Sequence, residues 1–390
     1  MGAGILGLAT ARELVLRHVG IRVVVLERES EPAAHQTGRS SSVIHSGVYY
    51  EPGSLKARLC VEGARELYAY CEERGIPAER SGKLIVATRP EELPRLDELE
   101  RRGRENGVSG LRRLAPDEIA EVEPHARGIE ALHSPATGTV DFRRVAEAYA
   151  QDARAAGGSV STSCEVRAIR QRDHGVSVEH ARGTTAARSL VSCAGGWSDR
   201  LAVAMGAPAD PRLVPFRGGY LRLRPERRSL VRSNIYPVPD PELPFLGAHL
   251  TRGHHGEVLL GPTALMVGAR DAYEVGRVRP GDLWQTLTWP GTWRLARRHW
   301  RAGLGELHRA ARASALVTEA QRLVPELSPA DFLPGPSGVR AQALARDGSL
   351  VDDFVLSRTG YCVHVRNAPS PAATASLAIA RLIADEVQVG

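Results

Sequence analysis

The chain has 390 residues, 43% of them hydrophobic, and a formal net charge of +6. That length supports a large core split between two interwoven domains, and so modest a charge, with no recognised module, argues against nucleic-acid binding. Five dispersed cysteines without metal spacing (Cys60, Cys71, Cys164, Cys193, Cys362) read as reduced thiols. No apolar run reaches the ~18 residues of a membrane span and no signal peptide precedes the first motif, so a cytoplasmic location is expected.

The chain opens on Gly2-Ala3-Gly4-Ile5-Leu6-Gly7. A helix is predicted over about residues 5–18, stopped by Gly20, with Ile5, Leu8, Ala9, Leu14, Leu16 and Val19 facing mostly inward. An apolar strand over 21–28 follows and carries Glu27 and Arg28 at its end. A dinucleotide site needs each part. Gly2 allows the tight turn, Gly4 a close backbone approach to pyrophosphate, and Gly7 close packing of the helix. The helix N-terminus offers N–H groups to phosphate, and Glu27 can accept from ribose hydroxyls. The strand that normally precedes such a turn has no sequence to form it, because Met1 sits directly on Gly2. Either the chain starts further upstream, or the central position of the parallel sheet is left as a gap that weakens dinucleotide binding.

Residues 34–50 are small and hydroxyl-rich, suited to a loop threading past a cofactor. Pro52-Gly53 turns the chain, and Ser54 caps a helix through about Arg74. Residues 82–88 read as a strand, 91–106 as a charged surface helix, and Pro116 starts a short helix. Residues 139–141 are extended, 142–157 helical, and 159–166 return to the nucleotide sheet. Strands over 176–180 and 189–192 follow. The second ends in Cys193-Ala194-Gly195-Gly196-Trp197, a glycine turn opening a helix and a second candidate for cofactor contact.

From Pro211 to about Gly335 the composition shifts. Prolines cluster at Pro237, Pro239, Pro241 and Pro244, and alternating segments at 220–223 and 257–260 point to an antiparallel floor. Over 289–304, Trp293, Ala296, Trp300 and Leu304 share one helical face flanked by Arg294, Arg298 and Arg301. That face either docks on its own domain, the reading favoured here, or touches a membrane surface. Residues 363–365 form a strand, and a loop over 367–374 feeds a last helix through about 387. The fold class is α/β: a Rossmann-like domain (residues 1–80, 140–210 and 336–390) interwoven with an α+β substrate domain on an antiparallel sheet (81–139 and 211–335).

The motifs at 2–7, 35–38, 43–50, 52–57, 215–218, 236–241, 244–252, 338–342 and 367–374 together make the chain similar to the FAD-dependent L-2-hydroxyglutarate oxidase/dehydrogenase family, among the D-amino-acid-oxidase-like flavoproteins. The resemblance implies FAD, held non-covalently, and oxidation of the 2-hydroxyl of a dicarboxylate to a ketone, with oxygen or a quinone as acceptor. In a flavin enzyme the helix end after 367–374 can stabilise the reduced ring. Two departures stand out. Ser42 replaces a glycine usual before Val43-Ile44-His45, and Gly219 stands where glutamate commonly follows Phe216-Arg217-Gly218. They put the substrate's identity in question more than the reaction class.

Oxidising a hydroxy acid needs cations for the carboxylates and a base for the hydroxyl proton. His45 and His249, each inside a matching motif, are the base candidates, and the residues do not choose between them. Lys56, Arg217, Arg252 and Arg340 are carboxylate clamps, with Tyr50 and Asn367 as further substrate contacts; Lys56 could equally be a solvated helix charge. Cofactor contacts are expected at Gly2, Gly4, Gly7, Glu27, Arg28, Gly38, Arg39, Ser41, Val166, Gly195, Gly338, Ala368, Ser370 and Pro371, and no metal site is expected. An amine or amino-acid oxidase of the same fold, a paralogue acting on another hydroxy acid and a flavin-binding protein with little turnover are the alternatives.

Overall fold

The glycine turn forms as its spacing requires. Gly2 takes φ +91°, a left-handed value that favours glycine. A Cβ on Gly7 would stand 1.9 Å from the Gly2 carbonyl oxygen, so the helix and the turn can approach this closely only with glycine there. Helix Ile5–Arg17 follows and buries Ile5, Leu8, Ala9, Leu14 and Val15. Leu16 and Val19, expected inward, are exposed. Both lie at the helix end, where the chain leaves the helix at His18 and reverses at Gly20, φ +85°.

The computed structural model describes residues 1–240 and 246–388. Pro241, Pro244 and Phe245 of the motifs above lie outside the described residues. On the nucleotide side, strand Val24–Leu26 pairs in parallel with Ser159–Ser161. Leu190–Ser192 pairs in parallel with Cys362–Asn367, which also pairs antiparallel with Val355–Thr359. Among the described residues no strand joins these two half-sheets. Met1 and Gly2 bridge them instead. The Gly2 amide donates to the Leu26 carbonyl at 2.8 Å, the Met1 amino group to Val191 O at 2.8 Å, and the Cys193 amide to Met1 O at 2.9 Å.

Helices Ile5–Arg17, Phe142–Ala155 and Ser376–Asp385 pack together beside this sheet. Their core holds Leu8, Val25, Ile44, Leu67, Val145 and Tyr149, each such side chain contributing about 1.5–3 kcal/mol on burial. Helix Leu55–Glu73 is capped by Ser54, whose side chain accepts from Ala57 N. Its Gly63 lets the last helix come close, since a Cβ there would meet Ala375 Cα at 2.5 Å.

The largest sheet has nine strands among the described residues. Its centre runs Val258–Gly261, His249–Arg252, Asn234–Pro237, Lys83–Ala87, Glu130–Ser134, antiparallel except for the parallel pair Asn234–Pro237 with Lys83–Ala87. Strand Phe332–Leu344 pairs with Arg212–Leu223 throughout, so the chain stays in this sheet well past residue 335. Alternation sorts the side chains. Leu84, Val86, Ile235 and Leu250 face one core with Leu316 and Val317. Lys83, Ile85, Tyr236 and His249 therefore face the other way, where Ile85 packs with Val48, Leu96 and Leu99. The stretch expected as one helix over 289–304 is two, Pro290–Arg298 and Trp300–Ala311, separated at His299 with φ −119°.

Candidate active site

A cavity of about 270 Å³ opens at the first turn, lined by Gly2, Gly4, Glu27, Arg28, Val166 and Gly195 from the expected set, together with His35, Gln36 and Trp197. Three features fit the ADP end of the FAD that the resemblance implies. Helix Ile5–Arg17 has no acid in its first turn and a glycine N-cap, so its positive end stays open to an anion. The Glu27 carboxylate accepts from Ala3 N at 2.6 Å and from Glu29 N at 2.9 Å, which holds it rigid while each oxygen keeps a lone pair for a hydroxyl. Gly195 takes φ +52°, and a Cβ there would press to 3.0 Å from Gln36 Oε1 at the cavity wall.

The other expected cofactor residues lie beyond this cavity. Gly7 packs beneath the turn. Gly38 N donates to Ala33 O at 3.0 Å, Arg39 stacks 4.0 Å above the Tyr273 ring, and Gly338 crosses so close to Arg39 that a Cβ would meet its carbonyl at 2.7 Å. Ser41 precedes Ser42, which adopts φ +62°. That left-handed value favours glycine, and a side chain there costs of order 1 kcal/mol. Ala368, Ser370 and Pro371 lead into helix Ser376–Asp385.

His45 stands beside that last loop. Its amide donates to Thr374 Oγ1 at 3.1 Å, and its Nε2 lies 3.2 Å from Ser370 Oγ. Burial pushes the Tyr50 phenol well above its ordinary pKa, and Ser370 beside it acts the opposite way. Burial pushes the His45 imidazole well below its ordinary pKa, and the charges of Lys83, Lys56 and Arg340 push the same way. His249 is pushed down to about 3, by burial first, with Lys83 and Arg340 adding and the Gly247 hydrogen bond opposing. Its Nδ1 is 2.9 Å from Gly247 O. A carbonyl only accepts, so Nδ1 carries the hydrogen and Nε2 keeps the lone pair.

Lys56 is buried, not solvated, and its Nζ pairs with Asp352 at 2.6 Å. Its Nζ also lies 5.1 Å from the Tyr50 ring centroid. Arg340 acts on both histidines. Two other clamp candidates are elsewhere. Arg252 alternates with His249 and Thr251 and so points to the opposite face, where its Nη1 donates to Val231 O at 3.2 Å. Arg217 registers beside Val339 and Arg340 beside Phe216, which puts the two arginines on opposite faces; Arg217 Nε donates to Tyr273 O at 3.3 Å. A Cβ at Gly219 would stand 3.1 Å from Arg217 Nη1, so a longer side chain there would meet that guanidinium. Asn367 spends its amide on Val351 O and Asp353 O, at 2.9 and 2.8 Å. It braces the loop that carries Asp352.

The residue sequence reasoning missed is Lys83. It is 2% exposed, and its Nζ lies 4.0 Å from the Tyr236 ring centroid and 5.1 Å from that of Tyr49. His249 stacks on the same Tyr236 at 3.9 Å. The three occupy one face of three adjacent strands, with Tyr236 in the middle. Burial lowers the Lys83 pKa to about 7; among the described residues no carboxylate pairs with it. The signal in the sequence was a lone lysine inside an apolar strand.

The chain matches the family model described as FAD dependent oxidoreductase over residues 1–386. It is 46% identical over 405 residues to the mitochondrial L-2-hydroxyglutarate dehydrogenase of Homo sapiens, an alignment covering 100% of this chain and 88% of that protein. To the L-2-hydroxyglutarate dehydrogenase of Indibacter alkaliphilus it is 43% identical over 380 residues, covering 97% and 95%. Among solved structures it is similar to the FAD-bound L-α-glycerophosphate oxidase of Mycoplasma pneumoniae, with TM-score 0.77, 23% identity and coverage of 99% and 92%. It is also similar to the glycine oxidase of Geobacillus kaustophilus, with TM-score 0.70, 21% identity and coverage of 100% and 94%. At those identities the structural likeness speaks to the fold.

Proposed function

The chain belongs to the FAD-dependent oxidoreductase (DAO) family, and from that premise we propose that it oxidises the 2-hydroxyl of a short dicarboxylate, L-2-hydroxyglutarate going to 2-oxoglutarate being the substrate of choice. The observation that carries this reading is the charge of this cluster. Buried Lys56 and Lys83, with Arg340 at the exposed edge, bring three cations to two neutral imidazoles, and Asp352 pairs with Lys56 at the rim. A dianion is what such a cluster needs. An amino acid would bring an ammonium into it, which argues against the amine-oxidase alternative.

In this reading Lys83 and Arg340 hold carboxylates, and Lys56 does so once it leaves Asp352. His249 Nε2 accepts the hydroxyl proton, because its other nitrogen is committed to Gly247 O. A bound dianion raises the imidazole's pKa from its depressed value toward the range a base needs. His45, fixed by Thr374 and Ser370, positions the substrate, with Tyr50 as a further contact. FAD, when bound, would supply the two-electron acceptor for this oxidation. Anaerobic mixing of the holoenzyme with L-2-hydroxyglutarate, its D-isomer and amino acids tests the reading. Bleaching of the visible flavin band by the L-isomer alone supports it, and bleaching only by an amine overturns it.

A quinone is the favoured electron acceptor, and one specific observation supports that choice. Trp284, Trp293 and Trp300 are 69%, 61% and 56% exposed, and Leu304 and Leu307 stand open beside them. Helix Pro290–Arg298 docks instead through Gly291, Thr292 and Leu295, and Trp300–Ala311 buries no residue, so the apolar face turns away from the protein, contrary to the self-docking reading favoured above. With Arg297, Arg298 and Arg301 around it, the face suits the headgroup region of an anionic membrane. No helix among the described residues is long and apolar enough to cross a membrane.

A further inference from the structure

The turn between strands His249–Arg252 and Val258–Gly261 carries two consecutive histidines, His254 and His255. It stands against Asp141, the residue that caps helix Phe142–Ala155. His254 Nε2 lies 3.6 Å from Asp141 Oδ2. That is too long for a hydrogen bond. It is close to the separation of two ligands on one tetrahedral ion, since bonds of ~2.0–2.1 Å at the tetrahedral angle put ligand atoms about 3.4 Å apart.

The surroundings agree with a shared ion. The Asp141 oxygens divide their work: Oδ1 accepts from Arg143 N at 2.9 Å as the helix cap, and Oδ2 faces the histidines. His254 Nδ1 is buried with no partner among the described residues. The His255 ring is exposed and centred 4.1 Å from that of His254. One ligand atom from each of the three residues lies within 4.8 Å of the others. Imidazole with carboxylate suits zinc and its late first-row neighbours rather than magnesium or calcium.

We propose that Asp141, His254 and His255 form a zinc-class divalent metal site, with water in the fourth position. The ion joins two parts of the chain. Asp141 begins a helix beside the nucleotide sheet, and the histidines extend the strand pair that carries His249. Metal binding therefore fastens the turn below the proposed base to the cofactor side of the protein, and it is a structural clamp rather than a reacting centre.

The test uses the FAD-loaded full chain, stripped with chelator and titrated with zinc chloride by calorimetry, and with cobalt(II) by its visible absorption. Saturable zinc binding with a tetrahedral cobalt spectrum is expected, together with a rise in thermal midpoint. His255→Ala should weaken binding at least about tenfold, and His254→Ala should abolish it, with the flavin spectrum intact in both. Asp141→Asn keeps a capping oxygen but loses the charge, so it separates a folding defect from ligand loss; it should bind weakly and fold normally. Zinc binding that survives both histidine substitutions, equal binding of magnesium, or no zinc binding by the stripped protein overturns the proposal.

Discussion

Replacing Lys83 by methionine should make the protein more stable and worse at holding its substrate. The Lys83 pKa falls from 10.5 to about 7 on burial, a shift of about 3.5 units and, at 1.36 kcal/mol per unit, a penalty of roughly 5 kcal/mol as an upper limit. Methionine keeps the aliphatic volume and removes the charge, and a gain of about 3 kcal/mol at pH 7 is expected once relaxation around the ammonium is allowed for. At the ~2 °C per kcal/mol expected of a large domain, the thermal midpoint rises by about 6 °C.

The pH dependence carries the sign. Below about pH 7 the lysine is protonated in both the folded and the unfolded chain, so the penalty is fully present. Between about pH 7 and 10.5 only the unfolded chain binds the proton, and wild-type stability rises with pH. The advantage of Lys83→Met should therefore shrink steadily over that window. The same charge is needed for the dianion, so kcat/KM of the variant for L-2-hydroxyglutarate should fall by 10- to 100-fold, about 1.4–2.7 kcal/mol. Denaturant melts at several pH values and stopped-flow flavin reduction read both effects. A destabilised variant, or a stabilised one with unchanged kcat/KM, would refute the reasoning.

Other substitutions separate the remaining roles. His249→Ala should slow flavin reduction at saturating substrate by about 10²–10⁴-fold, whereas His45→Ala should act chiefly on KM; equal slowing by both would move the base to the pair. Ser42→Gly should stabilise the protein by about 0.5–1 kcal/mol, because φ +62° costs serine what it does not cost glycine; a loss of stability in urea melts would contradict the backbone reading. Trp293→Asp together with Trp300→Asp should abolish co-sedimentation with anionic vesicles while leaving dye-coupled turnover intact. Unchanged sedimentation would remove the membrane face. Gly195→Ala should release FAD during gel filtration, since its Cβ enters the cavity wall; full retention of FAD would show that the turn does not contact the cofactor.

Short-range physics made much of the molecule legible before any coordinates. The glycine spacing at Gly2, Gly4 and Gly7, the cap at Ser54 and the lengths of the long helices are local matters of backbone freedom and hydrogen-bond satisfaction, and they could be read in order along the chain. The resemblance carried by the 43–50, 338–342 and 367–374 stretches named the family and its cofactor.

What the sequence could not show was which side of a sheet each polar residue faces. Arg252 and His249 share a motif but alternate onto opposite faces, and Arg217 and Arg340 are divided by the same rule through their register. Lys83 was hidden for the converse reason. In a strand of apolar residues it reads as a solvated interruption, and only the neighbouring strands that bring Tyr236 and His249 beside it show a buried charge. The exposed tryptophans are a third case: helical periodicity finds an apolar stripe, but the packing of Leu295 and Trp289 decides that the stripe points away from the protein. Local propensity and spacing therefore determined the elements and the chemistry available to them. The pairing of strands distant in sequence decided which groups meet, because the facing of each side chain depends on register with a partner the local sequence does not contain.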